Sequence, residues 1–173
     1  MHVLAKILIV YFSSQSKEKL ASEDKVANAL ESYFSKTHKV KKLLLQSKKK
    51  IELKDQFKLE KEIELTEESS PSIGFDLVII GSPIVGSLTS APLVNAYLRK
   101  IQKQIEKKMQ AKYALFSTGI IPGLAIKKMQ SLLSMKGIKP IESVTFTSIF
   151  DFDEKKMKEV TEFAQKLNQS LEN

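Results

Sequence analysis

Three short apolar segments of this chain each end at a loop that is rich in small hydroxyl side chains. The segments are residues 7–12, 77–80 and 113–116, and a helical pattern follows each loop. Near-continuous apolar runs of this length are typical of strands that are buried on both faces of a parallel sheet. Because the carboxyl ends of parallel strands lie along one edge, the loops are expected to meet where such sheets bind ligands. The pattern therefore predicts an α/β fold with a site for a planar, anionic small molecule.

The same alternation continues through the chain. An apolar stripe at helical spacing predicts a helix over residues 22–34 with Ser22 as its cap, and Pro92 is suited to the first turn of a later helix. Right-handed crossovers then require helices on both faces of the sheet. We expect one domain over residues 1–173, a three-layer doubly wound α/β sandwich with a five-stranded parallel sheet. The expected strands are 6–12, 39–45, 75–81, 111–117 and 144–150, and the expected helices are 22–34, 91–109, 122–135 and 153–171.

A charged crossover at about 46–72 connects the second expected strand to the third. Its apolar residues occur in alternating pairs such as Ile51 with Leu53 and Ile63 with Leu65, which resemble strand fragments. A partly ordered crossover and a small hairpin both fit this pattern.

Composition excludes several kinds of site. The chain has no cysteine, and His2 and His38 are far apart in sequence. Disulfides, thiolate chemistry and a zinc site built from His and Cys are therefore not expected. No segment approaches the ~20 apolar residues of a membrane span. No small-residue cleavage site follows the apolar amino terminus, so a cytoplasmic protein without membrane association is predicted.

The positive charge is unevenly distributed. The formal net charge is +8, of which residues 1–50 carry +7, and Arg99 is the single arginine among 28 basic residues. Arginine is the usual residue for reading bases and gripping phosphates, so a specific nucleic-acid reader is not expected. The lysine-rich part is either a solvated edge or a patch for an anionic partner.

Two common nucleotide-binding signatures are absent from the sequence. Neither G-x-G-x-x-G nor the Walker phosphate loop occurs, which argues against a nicotinamide-dependent Rossmann enzyme and against a P-loop NTPase. A Ser-His-Asp catalytic set cannot be assembled either. No catalytic residue and no metal ligand is predicted.

The second loop carries the most specific motif, an apolar strand that ends in Gly-Ser-Pro and is followed by Ala91 and Pro92 at a helix start. Together with the serine-rich first loop and with Phe-Ser-Thr-Gly at residues 116–119, this motif resembles the flavodoxin family over nearly the whole chain. The resemblance implies strand order 2-1-3-4-5 and one bound FMN. The implied function is electron transfer or catalysis by a small flavin-dependent oxidoreductase.

The resemblance also implies which residues hold the cofactor. The FMN phosphate would lie at the first loop, and the isoalloxazine ring would lie between the second and third loops. The phosphate residues would be Ser13, Ser14, Gln15 and Ser16; one side of the ring would be lined by Ser82, Pro83, Ile84, Val85 and Gly86, and the other by Ser117, Thr118 and Gly119. A basic protein of this kind is expected to meet an acidic redox partner.

The chain departs from the family pattern at two places. The Thr-Gly-Asn-Thr core of the first loop is absent and residues 17–21 look inserted, while Ile84 and Val85 stand where an aromatic residue often stacks on the ring. These departures support an alternative hypothesis. In it, the chain is a flavodoxin-fold binding module that has lost FMN and recognises an acidic protein partner.

Overall fold

The computed structural model describes residues 4–13, 21–50, 62–71, 73–85, 89–101, 111–120, 123–147 and 152–173. Its strands are β1 (Lys6–Tyr11), β2 (Lys39–Leu44), β3 (Leu77–Val85), β4 (Thr89–Ser90), β5 (Lys112–Gly119) and β6 (Glu142–Thr147). Its helices are α1 (Ser22–Phe34), α2 (Pro92–Lys100), α3 (Leu124–Ser134) and α4 (Glu154–Glu172).

Five strands pair in parallel in the order β2-β1-β3-β5-β6. This order is the one implied by the sequence resemblance, 2-1-3-4-5, when the five expected strands are numbered along the chain. The sixth strand, the two-residue β4, pairs antiparallel with the end of β3 and was not expected. The predicted fold class is therefore confirmed, with one short strand added.

The two faces of the sheet carry separate hydrophobic cores. Ile7 and Ile9 of β1 pack with α1 and α4, whereas Leu8 and Val10 pack with α2 and α3. Successive residues of a strand point to opposite faces, so a continuous apolar strand supplies both cores. The result is the predicted doubly wound sandwich with helices on both faces.

Helix α1 has the predicted bounds but a different cap. The cap position is Ala21, and Ser22 is the first helical residue, so the prediction that Ser22 caps the helix is wrong. The side chain of Asp24 folds back instead and accepts the backbone N–H of Ala21 at 3.2 Å. A carboxylate in the first turn of a helix satisfies an otherwise unpaired N–H and interacts favourably with the helix dipole.

The second and third expected loops are in fact strand. Residues 81–85 continue β3, and residues 117–119 continue β5, because Ser82 pairs with Ser117 and Pro83 with Thr118. Proline is tolerated in a sheet where no neighbouring strand requires its N–H. Pro83 meets this condition, since the pairing of β3 with β1 ends at Gly81.

Two other predicted segments are only partly within the described residues. Helix α2 ends at Lys100, because the buried Ile101 that follows it has an extended backbone (ψ 122°). Helix α2 is therefore shorter than the helix expected over residues 91–109. Residues 102–110 and 148–151 lie outside the described part.

The charged crossover is described at its ends, where Ser47 and Leu65 form an antiparallel bridge, as in the hairpin alternative. Among the described helices, none has the length and apolar character needed to cross a membrane.

Candidate functional site

The ends of β1, β3 and β5 bring the expected site residues to one edge of the sheet. The predicted residues Ser14, Gln15, Ser16 and Gly86 lie outside the described part of the chain. Of the others, Ser82, Pro83, Ser117 and Thr118 are buried, and Ser13, Ile84, Val85 and Gly119 are half-buried.

The two buried serines of the expected site direct their hydroxyl groups into the protein. The Ser82 hydroxyl donates to the carbonyl of Pro83 and accepts the N–H of Ala91, both at 2.8 Å. The Ser117 hydroxyl is hydrogen-bonded to Thr145 Oγ1 at 2.9 Å. Ser82 therefore ties the end of β3 to the start of α2, and Ser117 ties β5 to β6.

The hydroxyl groups of Ser13 and Thr118 donate hydrogen bonds to two buried carboxylates at the start of α1. Ser13 Oγ donates to Asp24 Oδ2 at 2.6 Å, and Thr118 Oγ1 donates to Glu23 Oε1 at 2.9 Å. Glu23 is 4% exposed and Asp24 is 6% exposed. These two contacts connect α1 to the edge of the sheet. Acidic residues in the first turn of a helix usually lie in solvent, so arguments from charge and the helix dipole do not predict that these two are buried.

Tyr11, at the end of β1, belongs to the same polar group. Burial, followed by the charge of Asp24 and a hydrogen bond with it, raises the pKa of Tyr11 from 10.0 to about 12. The neutral phenol is the favoured form, because ionisation would place a second negative charge in a poorly solvated place beside a carboxylate.

Because of this pKa shift, the stability of the fold should decrease as the pH becomes alkaline. Between about pH 10 and 12, a tyrosine in the unfolded chain ionises while Tyr11 in the folded chain keeps its proton, so the free energy of unfolding falls as the pH rises. We expect Tyr11→Phe to make this fall shallower, as measured by urea unfolding at a series of pH values. Parallel curves for the wild-type protein and the variant would contradict the assignment.

An apolar surface, here called the apolar shelf, remains open at this edge. It consists of Ile84 and Val85 from β3, Gly119 from β5, and the following Ile120, whose side chain is 67% exposed. Gly119 has a φ of +157°, and a Cβ built on it would lie 2.8 Å from Ile84 Cδ1. A side chain at position 119 would therefore displace Ile84, so glycine keeps the shelf flat.

Sequence reasoning missed Ile120 in this region, along with the burial of Glu23 and Asp24. An isoleucine directly after the Ser-Thr-Gly motif was a usable signal, but its exposure depends on where β5 ends. The burial of the two acidic residues depends on contacts with β1 and β5, the farther of which is 95 residues away along the chain.

A comparison with models of known families finds no match, and a search of curated proteins finds no similar sequence. Solved structures are similar in fold. Rubredoxin oxygen:oxidoreductase from Desulfovibrio gigas is 19% identical with a TM-score of 0.57, over 96% of this chain and 36% of that one. The chain thus spans about a third of that protein.

Two further solved structures match along nearly their whole length. Flavodoxin 1 from Bacillus cereus is 13% identical with a TM-score of 0.59, over 95% of this chain and 98% of that one. A flavoprotein from Lactobacillus acidophilus, solved in complex with FMN, is 20% identical with a TM-score of 0.51, over 91% of this chain and 99% of that one. Likeness at this level of identity shows a shared, flavodoxin-like fold.

Proposed function

Starting from the flavodoxin-like fold, we propose that this protein binds FMN at the carboxyl edge of its sheet. We further propose that it works in electron transfer or as a small flavin-dependent oxidoreductase. The observation that carries the proposal is the apolar shelf, which lies at the ends of β3 and β5. In this fold class, ligands bind at that edge of the sheet. Support also comes from the similar Lactobacillus acidophilus flavoprotein, which was solved with FMN.

The described residues fit the ring of a flavin. The side chains of Ile84, Val85 and Ile120 offer exposed or half-exposed apolar surface, and the Gly119 backbone permits close approach. Ligand sites of this kind are mostly apolar, with a few polar groups that orient the ligand. Bound FMN would supply the redox chemistry, while the protein would hold the ring and exclude water from one face.

The predicted phosphate end of the proposed FMN site gives the proposal less support than the ring end does. Of the predicted phosphate residues the structure describes Ser13, whose hydroxyl hydrogen is already donated to Asp24. Ser13 therefore offers a phosphate no side-chain donor in this conformation. The proposal consequently rests on the ring contacts rather than on the first loop.

An acidic redox partner is proposed from the charge distribution. Lys39 and Lys41 are exposed on the edge strand β2, and Lys49 and Lys50 are exposed beyond it. Lys48 is exposed as well, but its ammonium group lies 3.6 Å from a carboxylate oxygen of Glu64. Lys42 is not part of this surface, because it is held by Glu31 at 2.7 Å and by Asn28 at 2.5 Å. Exposed positive charge of this kind increases the rate of encounter with acidic proteins.

A thermal-shift measurement tests the proposal directly. Saturation with FMN at a hundredfold excess over Kd should stabilise the fold by about 2.7 kcal/mol, which corresponds to a rise in Tm of about 5–10 °C for a chain of this size. The purified protein should also be yellow. A colourless protein whose Tm does not respond to FMN would contradict the proposal and favour the binding module that has lost FMN.

A matched pair of variants locates the site. Ile120→Glu places a charge on the apolar shelf, and we expect the Kd for FMN to rise at least about tenfold, equivalent to 1.4 kcal/mol. Ile73→Glu is the control, since Ile73 is 83% exposed and precedes β3 at the opposite edge. Both side chains are exposed, so both variants should fold. Equal FMN affinity in the two variants would place the ring elsewhere.

A further inference from the structure

Two hydrogen-bond donors beside the first loop converge on one carboxylate of the protein itself. Asp24 accepts the Ser13 hydroxyl at 2.6 Å and the Ala21 backbone N–H at 3.2 Å. The phenol of Tyr11 lies close enough for the charge of Asp24 to raise its pKa. The Asp24 side chain is buried, and its two donors come from Ser13, two residues after the end of β1, and from Ala21, the cap position of α1.

The adjacent carboxylate takes the donor of a second predicted site residue. Thr118 donates to Glu23 Oε1 at 2.9 Å, and both residues are buried. A hydroxyl group has a single hydrogen to donate. A phosphate monoester at neutral pH carries about −1.5 to −2 charges and offers acceptor oxygens. The hydrogen that Ser13 could give to a phosphate is therefore already given to Asp24, and that of Thr118, a predicted ring residue, is given to Glu23.

A purely local role for Asp24 would be to cap α1. Capping explains the contact with Ala21, because a side chain in the first turn commonly reaches back to the cap N–H. It does not explain why the Ser13 hydroxyl, which belongs to neither the helix nor its cap, is directed at the same carboxylate. Donors gathered from separate elements around one negative charge are what an anion-binding position consists of.

We propose that the Asp24 carboxylate occupies the anion position at the start of α1, so that a ligand phosphate adds little to binding. The inference rests on the proposed flavin site and specifies which part of the ligand the site recognises. The site binds flavins through the isoalloxazine ring, and its affinity for riboflavin, which has no phosphate, is about equal to its affinity for FMN.

Titration of the wild-type protein with FMN and with riboflavin tests this inference, with the quenching of flavin fluorescence as the readout. We expect the two Kd values to agree within about tenfold. A preference for FMN of more than about tenfold would overturn the inference while leaving the proposed function intact. Failure of both flavins to bind would overturn the proposed function, and the inference with it.

The Asp24→Ala variant provides the second arm. Removal of the carboxylate releases the Ser13 and Ala21 donors, so FMN should bind about tenfold more tightly while the riboflavin Kd stays unchanged. Glu162→Ala is the control, because it removes one negative charge from an exposed position of α4. An Asp24→Ala protein that folds and shows no gain for FMN would overturn the inference. If that variant does not fold, the wild-type comparison decides alone.

Discussion

Replacing Gly81 by alanine is expected to lower the free energy of unfolding by about 3 kcal/mol. Gly81 lies inside β3, and a Cβ built on it would be 1.9 Å from Cζ of Phe116. The Phe116 side chain is fully buried among the residues that α1 and α4 cover, and its ring also packs near Phe146. Because the ring has no open space to move into, the added methyl group must distort the sheet or the core.

Three further variants show whether the clash is the cause. Phe116→Leu removes the ring atoms nearest to position 81. We expect the double variant, Gly81→Ala with Phe116→Leu, to lose about 1–2 kcal/mol less unfolding free energy than the sum of the losses in the two single variants. Gly74→Ala is the control, since it lies at a φ of +95° with nothing within 4 Å of the added Cβ. It should cost about 1 kcal/mol through backbone strain alone. Urea unfolding of the wild-type protein and the four variants measures these costs, and a Gly81→Ala cost equal to that of Gly74→Ala would refute the packing argument.

Gly81 also illustrates what the sequence could and could not predict. The alternation of apolar runs and helical stripes was sufficient for the order of the elements and for the bounds of α1, because those signals repeat within each segment. Gly-Ser-Pro and Ser-Thr-Gly have the composition of turns, so the sequence predicts loops at both places. The ladder between β3 and β5 nevertheless continues through both. Only the neighbouring strand decides whether such residues pair, and a local pattern contains no information about that neighbour.

The candidate site was predicted less well than the fold for the same reason. Placing Ser13, Ser82 and Thr118 at one sheet edge required only the topology. The direction of their hydroxyl groups depends on Asp24, Ala91 and Glu23. An acidic residue in the first turn of a helix is normally explained by the helix dipole. Its burial against a strand 95 residues away is a tertiary property that this explanation does not include.

Thr118→Val is expected to be the second most damaging substitution, with a loss of about 2–3 kcal/mol of unfolding free energy. Valine keeps the shape of threonine but removes the hydroxyl that donates to Glu23 Oε1 at 2.9 Å. A buried carboxylate that loses a donor carries a larger desolvation cost, whereas an exposed one would rehydrate. Thr147→Val is the control, because Thr147 is a half-buried threonine at the end of β6. A change there should stay within about 0.5 kcal/mol.

The double variant Thr118→Val with Glu23→Met separates the hydrogen bond from a simple packing effect. If the cost comes from the carboxylate, replacing Glu23 by an apolar side chain of similar length should recover much of the stability lost in Thr118→Val, because both polar partners are then gone. The coupling energy from the four unfolding curves should be about 1–2 kcal/mol. Additive effects would mean that the cost of Thr118→Val does not come from the hydrogen bond with Glu23. The link between α1 and the edge of the sheet would then depend on packing rather than on this hydrogen bond.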